Sequence, residues 1–242
     1  MGKTNLTTYT YIKQKLMEKI HESEFENNRL PSEAALAKEL EISLVTLREA
    51  LIMLALEGYI TKKHGSGNYI HPSAFDPRDR IDLGITFEDS FKHQGYEPGM
   101  EIISIKESLA GMDYAEKFKI NERDIISSCE MIYTADEMPS IYTIQNIPKK
   151  ILSRPFELGC GSEDFYKFLK DLNVTHSLNE YKAVTLPDKI STIFDMPHSA
   201  PVLYCSQMYY NIQDKPVLHN EHYFHPQRFG IRMVQNWDLS SV

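Results

Sequence analysis

Two glycines within three residues follow directly on three basic or partly basic side chains, a pattern suited to contact with phosphate. Gly65 and Gly67 come after Lys62, Lys63 and His64, and the runs on either side are β-prone. This spacing predicts a tight hairpin whose tip can approach a phosphate or a minor groove closely, with the basic groups at its base. The chemistry indicated is ionic binding of a polyanion.

The elements before this hairpin predict a helix-turn-helix. A first amphipathic helix is expected over Thr8 to Glu22 from its apolar spacing. Pro31 and Ser32 then begin a second helix, and Ser43 caps a third that ends at Gly58. Two short helices joined by so brief a turn cross steeply, so the start of the third projects into solvent, as in motifs that enter a major groove. A winged helix-turn-helix is therefore predicted, and DNA binding is the leading hypothesis.

Composition bounds the class of protein. The chain has 242 residues, of which 42% are hydrophobic and 11% aromatic, which suits two modest globular domains. We expect a soluble, cytoplasmic protein, because no apolar run approaches the length of a membrane span and the N-terminus has no signal-peptide core. The cysteines, Cys129, Cys160 and Cys205, are odd in number and lack metal-type spacing, so reduced core thiols, no metal site and no cofactor are predicted.

The net charge of −8 is unevenly distributed. Residues 1–71 hold nine of the 26 basic and nine of the 34 acidic residues, so the whole acidic excess lies beyond them. A neutral head can bind phosphate if its basic groups share one face, while an acidic body repels wrongly placed DNA. The predicted division is a DNA-binding domain over residues 1–74, a linker over 75–80 and a second domain over 81–242.

The second domain contains a weak internal repeat. Ile125 to Pro139 parallels Val202 to Pro216, and each copy is a β-rich segment with a polar turn that ends in proline. A second β-rich segment follows each copy, and a strand with a short helix precedes it. Two strand-helix-hairpin units predict an α+β domain with a mostly antiparallel sheet, and a cleft between them is a plausible ligand site.

Several short segments of the chain form recognisable motifs. In the first 70 residues these are Leu30-Pro-Ser-Glu33, Leu36-Ala37, Ile42-Ser43, Leu47-Arg-Glu-Ala-Leu51, Glu57-Gly58 and Gly65-Ser-Gly67, and this region resembles the DNA-binding domain of GntR-family bacterial transcription regulators. In the remaining chain they are Asp136-Glu-Met-Pro139, Asn146-Ile-Pro148, Phe165-Tyr166 and Glu180. This second region more loosely resembles the UTRA effector domain of the HutC subfamily, which is similar in fold to chorismate lyase.

The resemblance implies a homodimer that binds a palindromic operator on double-stranded DNA and responds to a small metabolite, most simply a repressor that a sugar or related compound releases. It places Ser32 and Glu33 near phosphates, and Ser43, Thr46 and Arg48 against DNA. Hydroxyls suit phosphate oxygens, and Arg48 can hold phosphate or guanine with two hydrogen bonds. The predicted DNA-binding residues are Ser32, Glu33, Ser43, Leu44, Thr46, Arg48, Lys62, Lys63, His64, Gly65, Ser66 and Gly67.

Two positions depart from the family pattern. Ala34 and Leu44 stand where the family usually has arginine, which removes two cations from each head. Phosphate contacts and the salt dependence of binding should fall unless Lys62, Lys63 or Arg29 substitutes. Leu44 could contact a thymine methyl group instead, which would change the preferred operator. A degenerate, weakly binding head is the alternative.

The predicted effector site also departs from the family. Met131 and Tyr133 occupy positions where many UTRA domains carry arginines for anionic groups, and Asp164 stands where serine is frequent. Neither a thioether nor a phenol neutralises a phosphate dianion, so a neutral or cationic ligand is expected. The predicted effector-binding residues are Met131, Tyr133, Thr143, Asp164, Phe165, Tyr166, Glu180, His219 and Glu221.

Two other functions stay open, and one histidine cluster bears on them. An enzyme could use a chorismate-lyase-like cleft, although the chain has no nucleophile elbow, Gly-rich phosphate loop or His-Glu-x-x-His run, so no enzyme is predicted. A constitutive DNA-bound scaffold without ligand is the third possibility. Alternation along the last predicted strand puts His219 and Glu221 on one face and His222 on the other, so these histidines, with His225, are predicted to be surface residues rather than a metal site.

Overall fold

The computed structural model describes residues 8–22, 25–63, 65–75, 80–152 and 162–235. The chain divides into two compact units, which we call the head unit (Met1–Gly84 with Arg232–Val242) and the sheet unit (Ile85–Ile231). Among the described helices, none combines the length and the apolar character that crossing a membrane requires. His64 and Cys160, both named above, lie outside the described residues.

The head unit consists of three helices followed by a β-hairpin, as the sequence predicts. Its elements are α1 (Thr8–Glu22), α2 (Glu33–Glu39), α3 (Leu44–Leu56), β1 (Ile60–Lys63) and β2 (Gly67–Ile70). The predicted cap of α3 is confirmed, because Ser43 Oγ accepts the Thr46 N–H at 3.1 Å. Ser32 Oγ accepts the Ala35 N–H at 3.2 Å and caps α2 in the same way. Each serine satisfies a backbone donor that its helix leaves unpaired.

One apolar core holds the three helices together. The completely buried leucines of the head unit are Leu16, Leu36, Leu47, Leu51 and Leu54. Their helical spacing brings the leucines of each helix to the side that faces the core. Full burial of one leucine side chain contributes about 1.5–3 kcal/mol to the stability of the fold. This packing fixes the orientation of α3, and therefore of its first turn, within the head unit.

The hairpin tip depends on glycine at two positions. Gly65 has a φ of +72° and Gly67 a φ of +114°, values that favour glycine over residues with a Cβ. A Cβ on Gly67 would also lie 3.2 Å from Arg29 Nε. Since Leu30 N–H donates to Asn68 O at 2.9 Å, the hairpin is tied to the segment before α2.

The sheet unit contains one antiparallel sheet of six strands in the order β3-β4-β5-β8-β7-β6. The strands β3, β4 and β5 belong to the first predicted strand-helix-hairpin repeat, and β6, β7 and β8 belong to the second. The predicted α+β fold is therefore confirmed. The two halves join where β5 pairs with β8, with Gln145 opposite Asn220. The strands are β3 (Pro98–Leu109), β4 (Ile125–Ala135), β5 (Met138–Pro148), β6 (Val174–Thr185), β7 (Pro201–Asn211) and β8 (Pro216–Phe224).

Helices cover both faces of this sheet. The helices are α4 (Phe87–His93), α5 (Gly111–Phe118), α6 (Ser162–Asp171) and α7 (Asp188–Phe194). We call the face with Tyr133 and His222 the front face, where Phe87 of α4 and Phe165 of α6 pack. The opposite, back face packs against Phe118 of α5 and Phe194 of α7. Because side chains alternate along a strand, neighbouring residues of β8 belong to opposite faces.

Candidate DNA-binding surface and effector site

The first turn of α3 presents a mixed polar and apolar edge. The hydroxyls of Ser43 and Thr46 lie 2.7 Å apart and hydrogen-bond to each other. Leu44 is partly buried against the head core, so it is less available to DNA than its neighbour Val45, which is 65% exposed. Sequence reasoning missed Val45, although its position off the buried Leu47 stripe could have identified it. An exposed apolar side chain here suits a thymine methyl group.

Glu33 connects the basic residues of α3 and the hairpin. Arg48 Nε donates to Glu33 Oε2 at 2.7 Å, and Lys62 Nζ lies 3.6 Å from Glu33 Oε1. The hydrogen bond from Arg48 is the largest influence on Glu33 and, with the charge of Lys62, lowers the pKa of its carboxyl group. In this geometry the Glu33 carboxylate holds two cationic side chains, those of Arg48 and Lys62, close together.

A concave surface of about 850 Å³ lies between the hairpin and the start of α2. It gathers seven of the predicted DNA-binding residues and adds Arg29, which the sequence suggested only as a substitute for missing cations. Ala34 is exposed, so the cation absent there is missing from the surface of the head. The residues that line the concave surface are Glu26, Arg29, Leu30, Pro31, Ser32, Glu33, Lys62, Lys63, Gly65, Ser66, Gly67 and Asn68.

In the sheet unit, three predicted effector residues share the front face. Met131 and Thr143 are almost fully buried, and the Tyr133 ring meets Phe87 edge-on at 5.3 Å. Thr143 Oγ1 lies 2.9 Å from His222 Nδ1, a contact that joins β5 to β8. Sequence reasoning missed Phe87, because its approach to the sheet depends on how α4 packs.

A row of amide side chains crosses the front face beside these residues. Gln145, Asn220 and Gln207 lie opposite one another on β5, β8 and β7. Gln145 Oε1 and Asn220 Oδ1 are buried without a hydrogen-bond partner, which is costly in a protein interior. His222 Nε2 lies 3.2 Å from Gln207 Oε1, and burial lowers the pKa of His222 to about 3, so its imidazole is neutral at pH 7. The described side chains that β4, β5, β7 and β8 place on this face include no lysine or arginine.

The nine predicted effector residues do not form one site. On α6, Phe165 meets Tyr209 and Tyr166 interacts with Thr86 and Asp89 beside the front face, while Asp164 is exposed. The back-face residues cannot contact the same small ligand as Met131, because the sheet lies between them. Those back-face residues are Glu180, His219 and Glu221.

The prediction of surface histidines is wrong. His219 is 1%, His222 3% and His225 4% exposed. For His219 and His222 the physical reason is the sheet order, because β8 is an inner strand between β5 and β7 and both its faces are covered. His225 follows β8 and packs against the Phe194 ring, with centroids 5.4 Å apart. No group of three or more histidine, cysteine or carboxylate side chains within the described ranges is arranged to hold a metal ion.

The arrangement of a winged head followed by a two-repeat sheet defines a class of two-domain regulators, and comparison with known proteins agrees. The model of bacterial regulatory proteins of the gntR family matches residues 8–70, and that of the UTRA domain matches residues 93–230. The chain therefore belongs to the GntR family, in the HutC-type arrangement of a GntR head with a UTRA domain.

Curated relatives are distant and matched in part. The histidine utilization repressor of Pseudomonas putida is 24% identical over 145 residues, which cover 57% of this chain and 56% of the relative. The uncharacterized HTH-type transcriptional regulator YurK of Bacillus subtilis is 23% identical over 141 residues, 58% of this chain and 57% of the relative. The chain thus spans little more than half the length of these relatives, both of which are regulators of transcription by name.

Solved structures share the fold across nearly the whole chain. The possible transcriptional regulator YydK of Bacillus subtilis has a TM-score of 0.78 at 16% identity and covers 96% of this chain and 100% of its own. PhnF of Mycobacterium smegmatis has a TM-score of 0.60 at 14% identity, and the match covers 94% of this chain and 100% of the PhnF chain. At these identities, the likeness concerns the fold alone.

Proposed function

We propose that this chain is a ligand-responsive transcription regulator, a repressor that a small metabolite releases from its operator. The single observation that carries the proposal is the joining of Arg48 and Lys62 through Glu33 at the start of a projecting α3. This arrangement gives one basic edge to residues 1–71, which carry no net charge, as binding to phosphate and guanine requires. A homodimer on a palindromic operator follows from the same proposal, since two heads then match two half-sites.

The proposed effector site is the front face of the sheet unit, and its ligand is uncharged and polar. A phosphate dianion needs cationic partners, and the described strand residues of this face supply none. The unpartnered carbonyl oxygens of Gln145 and Asn220 instead favour a ligand that donates hydrogen bonds. Sugars without phosphate, and other small molecules rich in hydroxyl or amide donors, have this chemistry.

An enzymatic role for the sheet unit is the weaker proposal. Cys129 and Cys205 are the described candidates for a thiol nucleophile, and burial raises the pKa of each to about 11. A thiol with so high a pKa carries almost no thiolate at pH 7 and is a poor nucleophile. His222 is neutral, and its two ring nitrogens already contact Thr143 Oγ1 and Gln207 Oε1 in the core of the sheet unit.

We expect unphosphorylated ligands to raise the melting temperature of the full chain and to release it from DNA. The test combines a thermal-shift screen of matched free and phosphorylated sugars with fluorescence anisotropy on DNA selected from a random pool. Gln145→Met should abolish the response without changing DNA affinity, because it removes an acceptor at nearly constant volume. Gln213→Met, in an exposed turn, is the matched control.

Each other outcome points to a different function. A response to phosphorylated sugars alone would contradict an uncharged site. Release of a chemically altered ligand, detected by mass spectrometry, would support an enzyme. Unchanged melting with every compound, while selected DNA still binds, would support a constitutive DNA-bound scaffold.

A further inference from the structure

On the back face of β8, Glu221 lies between β5, β7 and α5 with its side chain 20% exposed. Its carboxylate accepts a hydrogen bond from Tyr204 OH at 3.1 Å, and Asn146 Nδ2 lies 3.5 Å away. Both partners are neutral. The carboxylate is therefore held in a defined position, yet solvent or a small molecule can reach it.

Glu221 differs from the other carboxylates of this face in having no cationic partner among the described residues. Glu130 is paired with Lys189 and Lys106, and Glu180 with Lys182 at 2.8 Å. The imidazole nearest to Glu221 is that of His219. Burial, followed by the charge of Lys117, lowers the pKa of His219 to about 4, so it carries no charge at pH 7. Lys117 acts on His219 only through its field, and the hydrogen-bond partners of the largely buried Glu221 carboxylate are neutral, which leaves its charge incompletely compensated and able to attract a cation.

His219 is a second acceptor beside this carboxylate. Its Nε2 lies 2.8 Å from Ser206 Oγ, whereas its Nδ1 has no hydrogen-bond partner. A neutral imidazole carries one N–H, and we place this proton on the nitrogen that has a partner, so that Nε2 donates to Ser206 Oγ. In that tautomer Nδ1 carries a lone pair, and this buried atom has no hydrogen-bond partner.

The separation of the two acceptors matches one nitrogen with several N–H bonds. His219 Nδ1 and Glu221 Oε1 lie 4.0 Å apart. An ammonium nitrogen about 2.8 Å from each atom would bond to both at an angle of about 90°, which two N–H bonds of one ammonium group can approach. A quaternary ammonium group, which carries the same charge but no N–H bond, cannot make this bridge.

Tyrosines complete the surroundings of the carboxylate. Tyr204 and Tyr223 have ring centroids 5.1 Å apart and planes inclined at 58°. Tyr114 of α5 lies within electrostatic reach of Glu221, and its burial, followed by that charge, raises its pKa to about 12. The negative faces of such rings favour a nearby cation. Lys117 already lies over the Tyr114 ring at 5.4 Å from the centroid, which illustrates the attraction.

We propose that Glu221 and His219 form a second ligand site, on the back face of the sheet, that binds a small primary ammonium group between the Glu221 carboxylate and His219 Nδ1. The site is separate from the front-face effector site and stands whether or not the chain represses transcription. Its ligand class is alkylammonium, recognised by charge and by N–H donors together.

The test is calorimetric titration of the full chain with ethylammonium chloride, and with tetramethylammonium chloride and sodium chloride at equal ionic strength. We expect saturable binding of ethylammonium alone. Glu221→Gln keeps the shape and an acceptor for Tyr204 but removes the charge, so it should weaken binding by about tenfold or more. Glu180→Gln, on the same face and paired with Lys182, is the matched control and should bind as the parent chain does.

Several outcomes would overturn the proposal. These are equal affinity in Glu221→Gln and the parent chain, absence of saturable ethylammonium binding, and equally tight binding of tetramethylammonium. Should Glu221→Gln fail to fold, ¹⁵N NMR of the parent chain decides the matter, with the His219 signal assigned through His219→Gln. Ethylammonium should shift Nδ1 of His219, and an unchanged signal would contradict the site.

Discussion

Replacing Arg80 with alanine is expected to lower the free energy of unfolding of the head unit by about 3–5 kcal/mol. The Arg80 side chain is only 2% exposed, and Nε donates to Asp82 Oδ1 at 2.8 Å. Nη1 donates to Ala74 O at 3.0 Å and Nη2 to Glu57 O at 2.9 Å. Its guanidinium carbon also lies 5.3 Å from the centroid of the Tyr59 ring. Alanine would leave the Asp82 carboxylate and the carbonyl groups of Ala74 and Glu57 without their donor. Removing one partner of a buried ion pair destabilises a protein strongly, because the other polar groups stay buried without compensation.

Urea unfolding of the full chain, followed by circular dichroism of the head helices, measures this effect. Arg48→Ala is the matched control, because the Arg48 side chain is 56% exposed and its ion pair should contribute less than about 1 kcal/mol. Arg80→Lys keeps the charge but not the planar fork, so its stability should fall between those of the parent and of Arg80→Ala. A loss below about 1 kcal/mol in Arg80→Ala would show that these contacts do not stabilise the head.

Arg48→Ala should weaken binding to selected operator DNA by about 1–3 kcal/mol while the head stays folded. The hydrogen bond from Nε to Glu33 fixes the guanidinium, and the fork of its Nη groups is suited to a guanine edge or a phosphate. Arg48→Lys keeps the charge and should recover only part of the affinity, since a lysine cannot make the two-bond contact. The measurement is fluorescence anisotropy with selected DNA and with a shuffled sequence of the same length.

Lys62→Ala separates base recognition from phosphate binding. Lys62 lies at the base of the hairpin and should contact phosphate, so its loss should weaken selected and shuffled DNA alike and reduce the salt slope by about one. If Arg48→Ala instead affected both DNAs equally, Arg48 would contact phosphate only. Unchanged affinity of folded Arg48→Ala for selected DNA would remove this residue from the interface.

Local patterns were sufficient to predict the elements of the head unit and the two strand-helix-hairpin units of the sheet unit, but not α4. The apolar spacing in α1 and α3, the serine caps and the glycines of the hairpin act within a few residues, and the structure has these features where they were predicted. The two strand-helix-hairpin units also follow from a pattern that repeats along the chain. No sequence pattern indicated which two strands pair to join the two repeats into one sheet.

That non-local pairing explains what was missed. The contact of β5 with β8 places β8 inside the sheet, which buries His219 and His222 and separates the predicted effector residues onto two faces. Similarly, Arg80 lies in a segment whose proline, serine and charge indicated a polar linker, and nothing local revealed its partners at Glu57 and Ala74. The link from Glu33 to Arg48 joins residues fifteen positions apart and depends on how α2 crosses α3.

Sequence-selective DNA binding by the full chain can be measured directly. The full chain is titrated by fluorescence anisotropy against DNA selected from a random pool and against a shuffled control, at several salt concentrations. We predict that selected DNA binds about 10³-fold or more tightly than shuffled DNA, and that the logarithm of the binding constant falls linearly with the logarithm of salt concentration. Equal affinity for the two DNAs at every salt concentration would contradict sequence-selective DNA binding by this chain.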